Sequence, residues 1–340
     1  MRVYGTAISI LVSLSIGGVA AQEPAQSVSS GAAPHVAAAK AAAGQDAGAG
    51  VLFERLCAAP PPVRPPLAGP QSRAQAPAAP PRAEWYAEPV KVFDNLYFVG
   101  QSAYTAWAVT TSAGIIVIDP LFEYSVADEV ADGLTKLGLD PTQIKYVVVS
   151  HAHRDHVAGA QYLQQQFGAT VIMSDADWSL LQTDLGGWPK ATRDMVATDG
   201  QTLTLGDTTL TFYLTPGHTL GTISTIIPLK DGSRSHVAAL WGGTGFNWQS
   251  GSPRYITPAR PADVWYEMYS NSARRLREIA ATAGADVILS NHPAYDASDV
   301  NLPKMGTRRA GEPHPYVIGQ DAVSRFLTVA EECATAGPLW

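Results

Sequence analysis

Tyr146-Val147-Val148-Val149-Ser150-His151-Ala152-His153-Arg154-Asp155-His156 is the stretch on which the reading of this chain turns. Its first four residues form the short, β-branched run expected of a buried strand. Three imidazoles and a carboxylate follow at once. A packed core gives no reason to leave a strand this way, and clustered rings repel one another once protonated. Zn²⁺ favours imidazole nitrogen with some carboxylate oxygen, and catalytic zinc keeps one position open. The alternative, a solvated polar loop, does not call for so many ligand-type side chains in one turn.

Two further histidines stand in matching contexts. His218 leaves a strand in Thr215-Pro216-Gly217-His218-Thr219, and His292 leaves another in Ser290-Asn291-His292-Pro293. Either alone would be an ordinary surface histidine; their shared position after strands, together with the first cluster, makes them candidate ligands. His35, His236 and His314 lack that context and read as bland. Asp119, closing the apolar run Ile115 to Ile118, either takes the outer N–H of a metal-bound imidazole or caps the turn beside Pro120. Ser290 and Asn291 are candidates for orienting substrate. Trp178, Trp188, Phe246 and Trp248 read as an apolar rim or as plain packing. Arg308 and Arg309 read as a solvated helix end.

Outward from this centre the chain alternates. Strand-like runs at 90–93, 96–99, 107–111, 115–118, 146–149 and 169–173 are joined by helical patterns at 126–137 and 158–167. Strands at 201–205, 208–214, 222–229, 236–241 and 286–289 then lead to helices at 265–283, 302–309 and 320–336. Strands followed by helix, given twice, describe an α/β protein built as an αβ/βα four-layer sandwich. The candidate ligands fall just beyond strand ends, where open sheets place ligands.

The first part of the chain has another texture. Arg2, the apolar stretch Ala7 to Val19 and the small residues before Gln22 predict a signal peptide over 1–21. That stretch is short of the ~20 residues a membrane-spanning helix needs, so export to the periplasm or medium with no membrane span after cleavage is expected. Residues 22–83, rich in Ala and Pro, predict a tether with a docking segment at 51–57, ahead of a hydrolase domain at 84–340. Cys57 and Cys333 either pair or remain unrelated thiols. A net charge of -7 with 16% charged residues and no basic stripe excludes the electrostatic footprint of a nucleic-acid binder.

The HxHxDH run, the Pro-Gly-His-Thr turn and the late Asn-His-Pro together resemble the metallo-β-lactamase superfamily, over essentially all of Trp85 to Pro338. The resemblance implies that fold and two Zn²⁺ per chain. One metal would take His151, His153 and His218; the other would take Asp155, His156 and His292. Many superfamily members bridge the metals with a carboxylate from the strand matched here by Val237 to Trp241, and two lactamase subclasses use a Cys. This chain offers neither and continues Gly242-Gly243-Thr244-Gly245. With no following Lys and no helix, those glycines are not a phosphate loop; they suit a tight backbone turn. The pattern is therefore most similar to the third subclass, with its Asp/His/His second site. The implied activity is hydrolysis of a small-molecule β-lactam by water activated between the metals, with Asp155 binding metal and relaying a proton. A lactone, ester or other metabolite is the alternative substrate, and a non-catalytic metal-binding scaffold the alternative class.

Overall fold

A computed structural model describes residues 28–57, 78–184, 186–250, 254–309 and 311–340. The expected signal peptide lies outside them, as do residues 58–77 of the expected tether.

The helices are α1 (Ala33–Ala43), α2 (Ala47–Cys57), α3 (Arg82–Trp85), α4 (Asp132–Lys136), α5 (Arg154–Val157), α6 (Ala160–Phe167), α7 (Asp175–Thr183), α8 (Ala262–Ala283), α9 (Ser298–Met305) and α10 (Gln320–Ala336). Seven strands form the first sheet in chain order: β1 (Val90–Lys91), β2 (Leu96–Phe98), β3 (Trp107–Thr111), β4 (Gly114–Ile118), β5 (Ile144–Val148), β6 (Thr170–Ser174) and β7 (Met195–Ala197). It is antiparallel up to β4 and parallel from β4 to β7. The second sheet holds β8 (Thr202–Leu205), β9 (Thr208–Leu214), β10 (Ile223–Asp231), β11 (Arg234–Trp241) and β12 (Val287–Ser290), in the order β12-β11-β10-β9-β8. Only its β11–β12 pair is parallel.

Side-chain alternation along the strands makes the layers. Ile116, Ile118, Val148 and Ile172 from one sheet meet Leu210, Phe212, Ile227 and Leu240 from the other. The opposite face of the first sheet, through Ile115, Val117, Val147 and Val171, packs on Val130, Leu134, Leu163 and Trp178. The outer face of the second, through Ala239, Trp241 and Ile288, packs on Trp265, Tyr269, Leu276 and Phe326. This is the four-layer arrangement expected from the sequence. Among the described residues no helix is long and apolar enough to cross a membrane.

Several elements differ from the sequence reading. The supposed tether carries α1 and α2, both docked on the domain. Alanine is the best helix former, so an Ala-rich run with Pro34 in its first turn and Gly44 after its last favours helix over coil. Leu52, Phe53 and Leu56 bury their side chains in the α8/α10 layer, and Cys57 is disulfide-bonded to Cys333 on α10. The helix expected over 158–167 starts at Ala160, after Gly159, where a Cβ would stand 2.1 Å from the Pro120 carbonyl oxygen. The helix expected over 302–309 starts earlier, at Ser298, whose N–H is taken by Asp296 Oδ1 at 3.0 Å. Arg308 is not solvated; it pairs with Asp231 at 3.0 and 2.8 Å.

The 126–137 helix opens with a π-helical turn, Ala127–Ala131, that turns Glu129 inward. Its Oε1 accepts from Ala87 N at 3.0 Å, while Oε2 has no partner among the described residues. Burial pushes this carboxyl up to about 8. A raised acid pKa means that the folded state resists ionisation, so its stability is full below the ordinary value near 4.5 and falls as pH rises towards 8. Glu129→Gln should remove that fall. Melting curves at pH 5 and pH 8 should show the variant gaining on the parent only at the higher pH.

Candidate metal centre

Each candidate ligand sits where a strand stops. β5 delivers the loop from Val149 to His153 and the short helix α5 with Asp155 and His156. The β9–β10 turn delivers His218, and the end of β12 delivers His292. These side chains converge into two groups, His151/His153/His218 and Asp155/His156/His292, with potential ligand atoms within 4.8 Å of one another in each group.

The outer contacts of the rings fix which nitrogen faces inward. His151 Nδ1 lies 2.8 Å from the Gly242 carbonyl oxygen, and His218 Nδ1 lies 2.6 Å from that of Gly245. A carbonyl only accepts, so both Nδ1 atoms carry the proton and both Nε2 atoms present bare lone pairs. Those two Nε2 atoms are 3.1 Å apart, and His153 Nδ1 is 3.1 Å from His218 Nε2. Lone pairs facing each other at this distance repel unless a cation lies between them. Ligands about 2.05 Å from one tetrahedral zinc stand roughly 3.4 Å apart, so the spacing suits the ion. His292 repeats the pattern, its Nδ1 donating to the Ala103 carbonyl at 3.0 Å.

Electrostatics agree with geometry. Burial, then the neighbouring imidazoles, holds His151 well below the usual histidine value, and His218 likewise. Burial brings His153 and His292 down to about 4. Four neutral rings are thus ready to donate lone pairs. His156 goes the other way: burial opposes its charge, but the Asp155 and Asp119 carboxylates outweigh burial and raise it. His156 Nε2 lies 3.2 Å from Asp155 Oδ2, and its Nδ1 lies 3.2 Å from Asp119 Oδ2. This corner attracts positive charge, whether a proton or a metal ion.

Asp119 does more than either role expected of it. It accepts from Ser150 N at 2.7 Å, Ser150 Oγ at 2.8 Å and Asn291 Nδ2 at 2.6 Å while facing His156. Its backbone is left-handed (φ 59°), a costly conformation for a non-glycine residue, and one that carries the chain into Pro120. Asn291 and Ser290 are buried and engaged within the protein: Asn291 ties Asp119 to Ser150, and Ser290 Oγ meets Thr244 Oγ1 at 3.1 Å. Trp178, Trp188, Phe246 and Trp248 are buried packing, not rim. His35 pairs with Glu332, His236 with Asp286, and His314 stacks on Phe93, all remote from the cluster as expected.

Two partners of the cluster escaped the sequence reading. Tyr255 places its hydroxyl on His153 Nε2. Asp177, fully buried at the start of α7, joins the two histidine loops: Oδ2 accepts from Ala152 N at 2.8 Å and Thr219 Oγ1 at 2.9 Å, and Oδ1 from Gly221 N at 3.0 Å. A signal for α7 was present in Ser174-Asp175-Ala176-Asp177, where Ser174 Oγ accepts from Asp177 N at the helix start. Asp177→Ala strands three buried donors, so metal affinity should fall about 10–100-fold, as chelator competition would show, with a lower melting temperature.

Comparison with known proteins follows the same line. Residues 99–231 match the family described as the Metallo-beta-lactamase superfamily. The chain is 34% identical over 107 residues (31% of this chain, 42% of the relative) to a probable polyketide biosynthesis zinc-dependent hydrolase of Bacillus velezensis. It is 28% identical over 177 residues (48% and 64%) to an N-acyl homoserine lactonase of Rhizobium johnstonii. These matches cover about half the length of the curated relatives, and less than two thirds in either case. Among solved structures, a subclass B3 metallo-beta-lactamase of Bradyrhizobium japonicum superposes with TM-score 0.58 at 26% identity, covering 72% of this chain and 91% of that one. A metallo-beta-lactamase of Legionella gormanii does so with TM-score 0.59 at 26% identity, covering 71% and 91%. By its layered sheets, its clustered ligand-type side chains and these likenesses, the chain carries a metallo-β-lactamase domain, matched to the family over residues 99–231.

Proposed function

We propose that the chain is an exported dizinc hydrolase that opens the strained amide of a β-lactam. The observation that carries the reading is the pair of inward-facing ligand groups, one of three neutral imidazoles and one containing a carboxylate. Bound zinc ions would lower the pKa of water towards neutrality and polarise a carbonyl oxygen. The chain's own residues supply the rest. Asp155, in the second group, orients the attacking water and holds the proton it gives up. Hydrolysis adds that water's OH to the acyl carbon and returns a proton to the departing nitrogen as the C–N bond breaks. Asp119 and Asp177 keep the ligand loops in register meanwhile.

The β-lactam is favoured by the solved relatives, lactamases matched over nine-tenths of their length, and by the lack of a carboxylate along Val237 to Trp241 and the glycines after it. Export is supported by the signal-like residues 1–21 and by the Cys57–Cys333 bond, which suits an oxidising compartment. A lactone or ester is the second reading, favoured by the likeness to a lactonase. Turnover of a chromogenic cephalosporin, lost with chelator and regained with zinc, is the expected result. Turnover of lactones with none on several β-lactam classes would move the assignment to the second reading.

A further inference from the structure

A cavity of about 410 Å³ opens next to Pro293, one residue past His292, and none of the six candidate metal ligands lines it. Its size is that of a site for a small molecule. Phe98 at the end of β2, Pro293 itself and Leu302 on α9 give it an apolar lining. Glu88 and Asp299, both exposed, are the charged groups in its wall; no lysine or arginine among the described residues joins them.

One side chain in this wall is out of keeping with plain packing. Gln101 is 1% exposed, yet neither its Oε1 nor its Nε2 has a hydrogen-bond partner among the described residues. Its backbone is tied on both sides. The Gln101 N–H donates to the Tyr104 carbonyl at 2.8 Å, and the Ser102 N–H to the Trp85 carbonyl at 2.9 Å. Gln101 also borders a second cavity, where the Tyr124 hydroxyl approaches the amide without hydrogen-bond geometry. An amide buried with both ends unbonded is costly, so the fold gains from a molecule that answers both. Whichever way round the amide is placed, it offers one donor end and one acceptor end.

We propose that this cavity is a binding site for a small, uncharged, apolar molecule carrying a primary carboxamide. Such a group presents N–H and C=O side by side and bonds both ends of Gln101 at once. Its hydrocarbon part covers Phe98, Pro293 and Leu302, where removing apolar surface from water adds affinity. A ketone would answer the donor end alone and leave the acceptor end unbonded. A carboxylate would bring no donor and would meet the like charges of Glu88 and Asp299.

The test titrates benzamide, acetophenone and benzoate into the full chain, zinc-loaded and chelator-treated, read by ¹⁵N-amide shifts. Benzamide should bind with Kd about 1 mM or lower, and the other two at least about tenfold more weakly. Zinc should alter benzamide affinity less than about twofold, since no candidate metal ligand lines the cavity. Gln101→Leu should weaken benzamide about tenfold and leave acetophenone unchanged. Leu302→Trp, which fills the cavity from a half-buried position, should abolish binding of both, with a parental melting curve. Benzamide binding no tighter than acetophenone, none at about 10 mM, dependence on zinc, or indifference to Leu302→Trp would each overturn the site. The comparison of probes on the parent chain decides the matter even where Gln101→Leu fails to fold.

Discussion

Replacing His153 with Ala should lower turnover by at least about 10³-fold while leaving the protein folded. The ring contributes its inward Nδ1 to the three-imidazole group, 3.1 Å from His218 Nε2, and among the described residues no further His, Cys, Asp or Glu joins that group. Against this stands a modest structural cost. His153 is only partly buried, at the end of a loop whose position Asp177 sets through Ala152. Truncation leaves the Tyr255 hydroxyl without that partner, worth about 1–3 kcal/mol. Loss of chemistry should therefore far exceed loss of stability. Metal analysis should find about one equivalent missing per chain, with near-parental far-UV circular dichroism. Full activity in the variant would be fatal to the ligand assignment.

Gly243→Ala should be almost as damaging, although it adds one methyl group and removes nothing. A Cβ on residue 243 would stand 2.4 Å from His218 Cβ and 2.6 Å from its Cγ. His218 cannot swing aside cheaply, because its Nδ1 is held by the Gly245 carbonyl. Backing the loop away is blocked next door, where Gly242 already packs so closely that a Cβ would meet the Ile223 carbonyl oxygen at 1.8 Å. Displacement of the imidazole is the remaining way out. A fall of more than about 10²-fold in activity is expected, together with loss of one metal equivalent. Gly243→Asp tests the point from the other side. Its carboxylate adds a ligand-type side chain, but it would have to pass through His218, so sterics win and metal is lost rather than gained. Zinc titration of both variants decides this.

The layers were legible because burial on both faces writes itself as β-branched runs. Ile115 to Ile118 and Tyr146 to Val149 announce strands without knowledge of their partners. The cluster was legible because ligand-type side chains after a strand have few competing explanations. What stayed hidden depended on tertiary distance. Asp177 is an unremarkable helix-start aspartate until β6 brings it beneath both histidine loops. Ser290 and Asn291, adjacent to His292 in sequence, turned inward because Asp119 and Thr244 were waiting there. The helices α1 and α2 were obscured by composition: alanine lowers apparent hydrophobicity while suiting both a helix and close approach to α10.

The Cys57–Cys333 bond reaches further than the two helices it staples. It fastens α2 to α10, and α10 leans on α8, whose Tyr269 hydroxyl donates to the Thr244 carbonyl at 2.8 Å, one residue from Gly243. Removing such a link from a chain typically costs about 2–5 kcal/mol. Thiol chemistry on the far flank thus sets how firmly the wall behind His218 is braced, and surroundings that reduce the bond would slacken the cage without touching any group inside it.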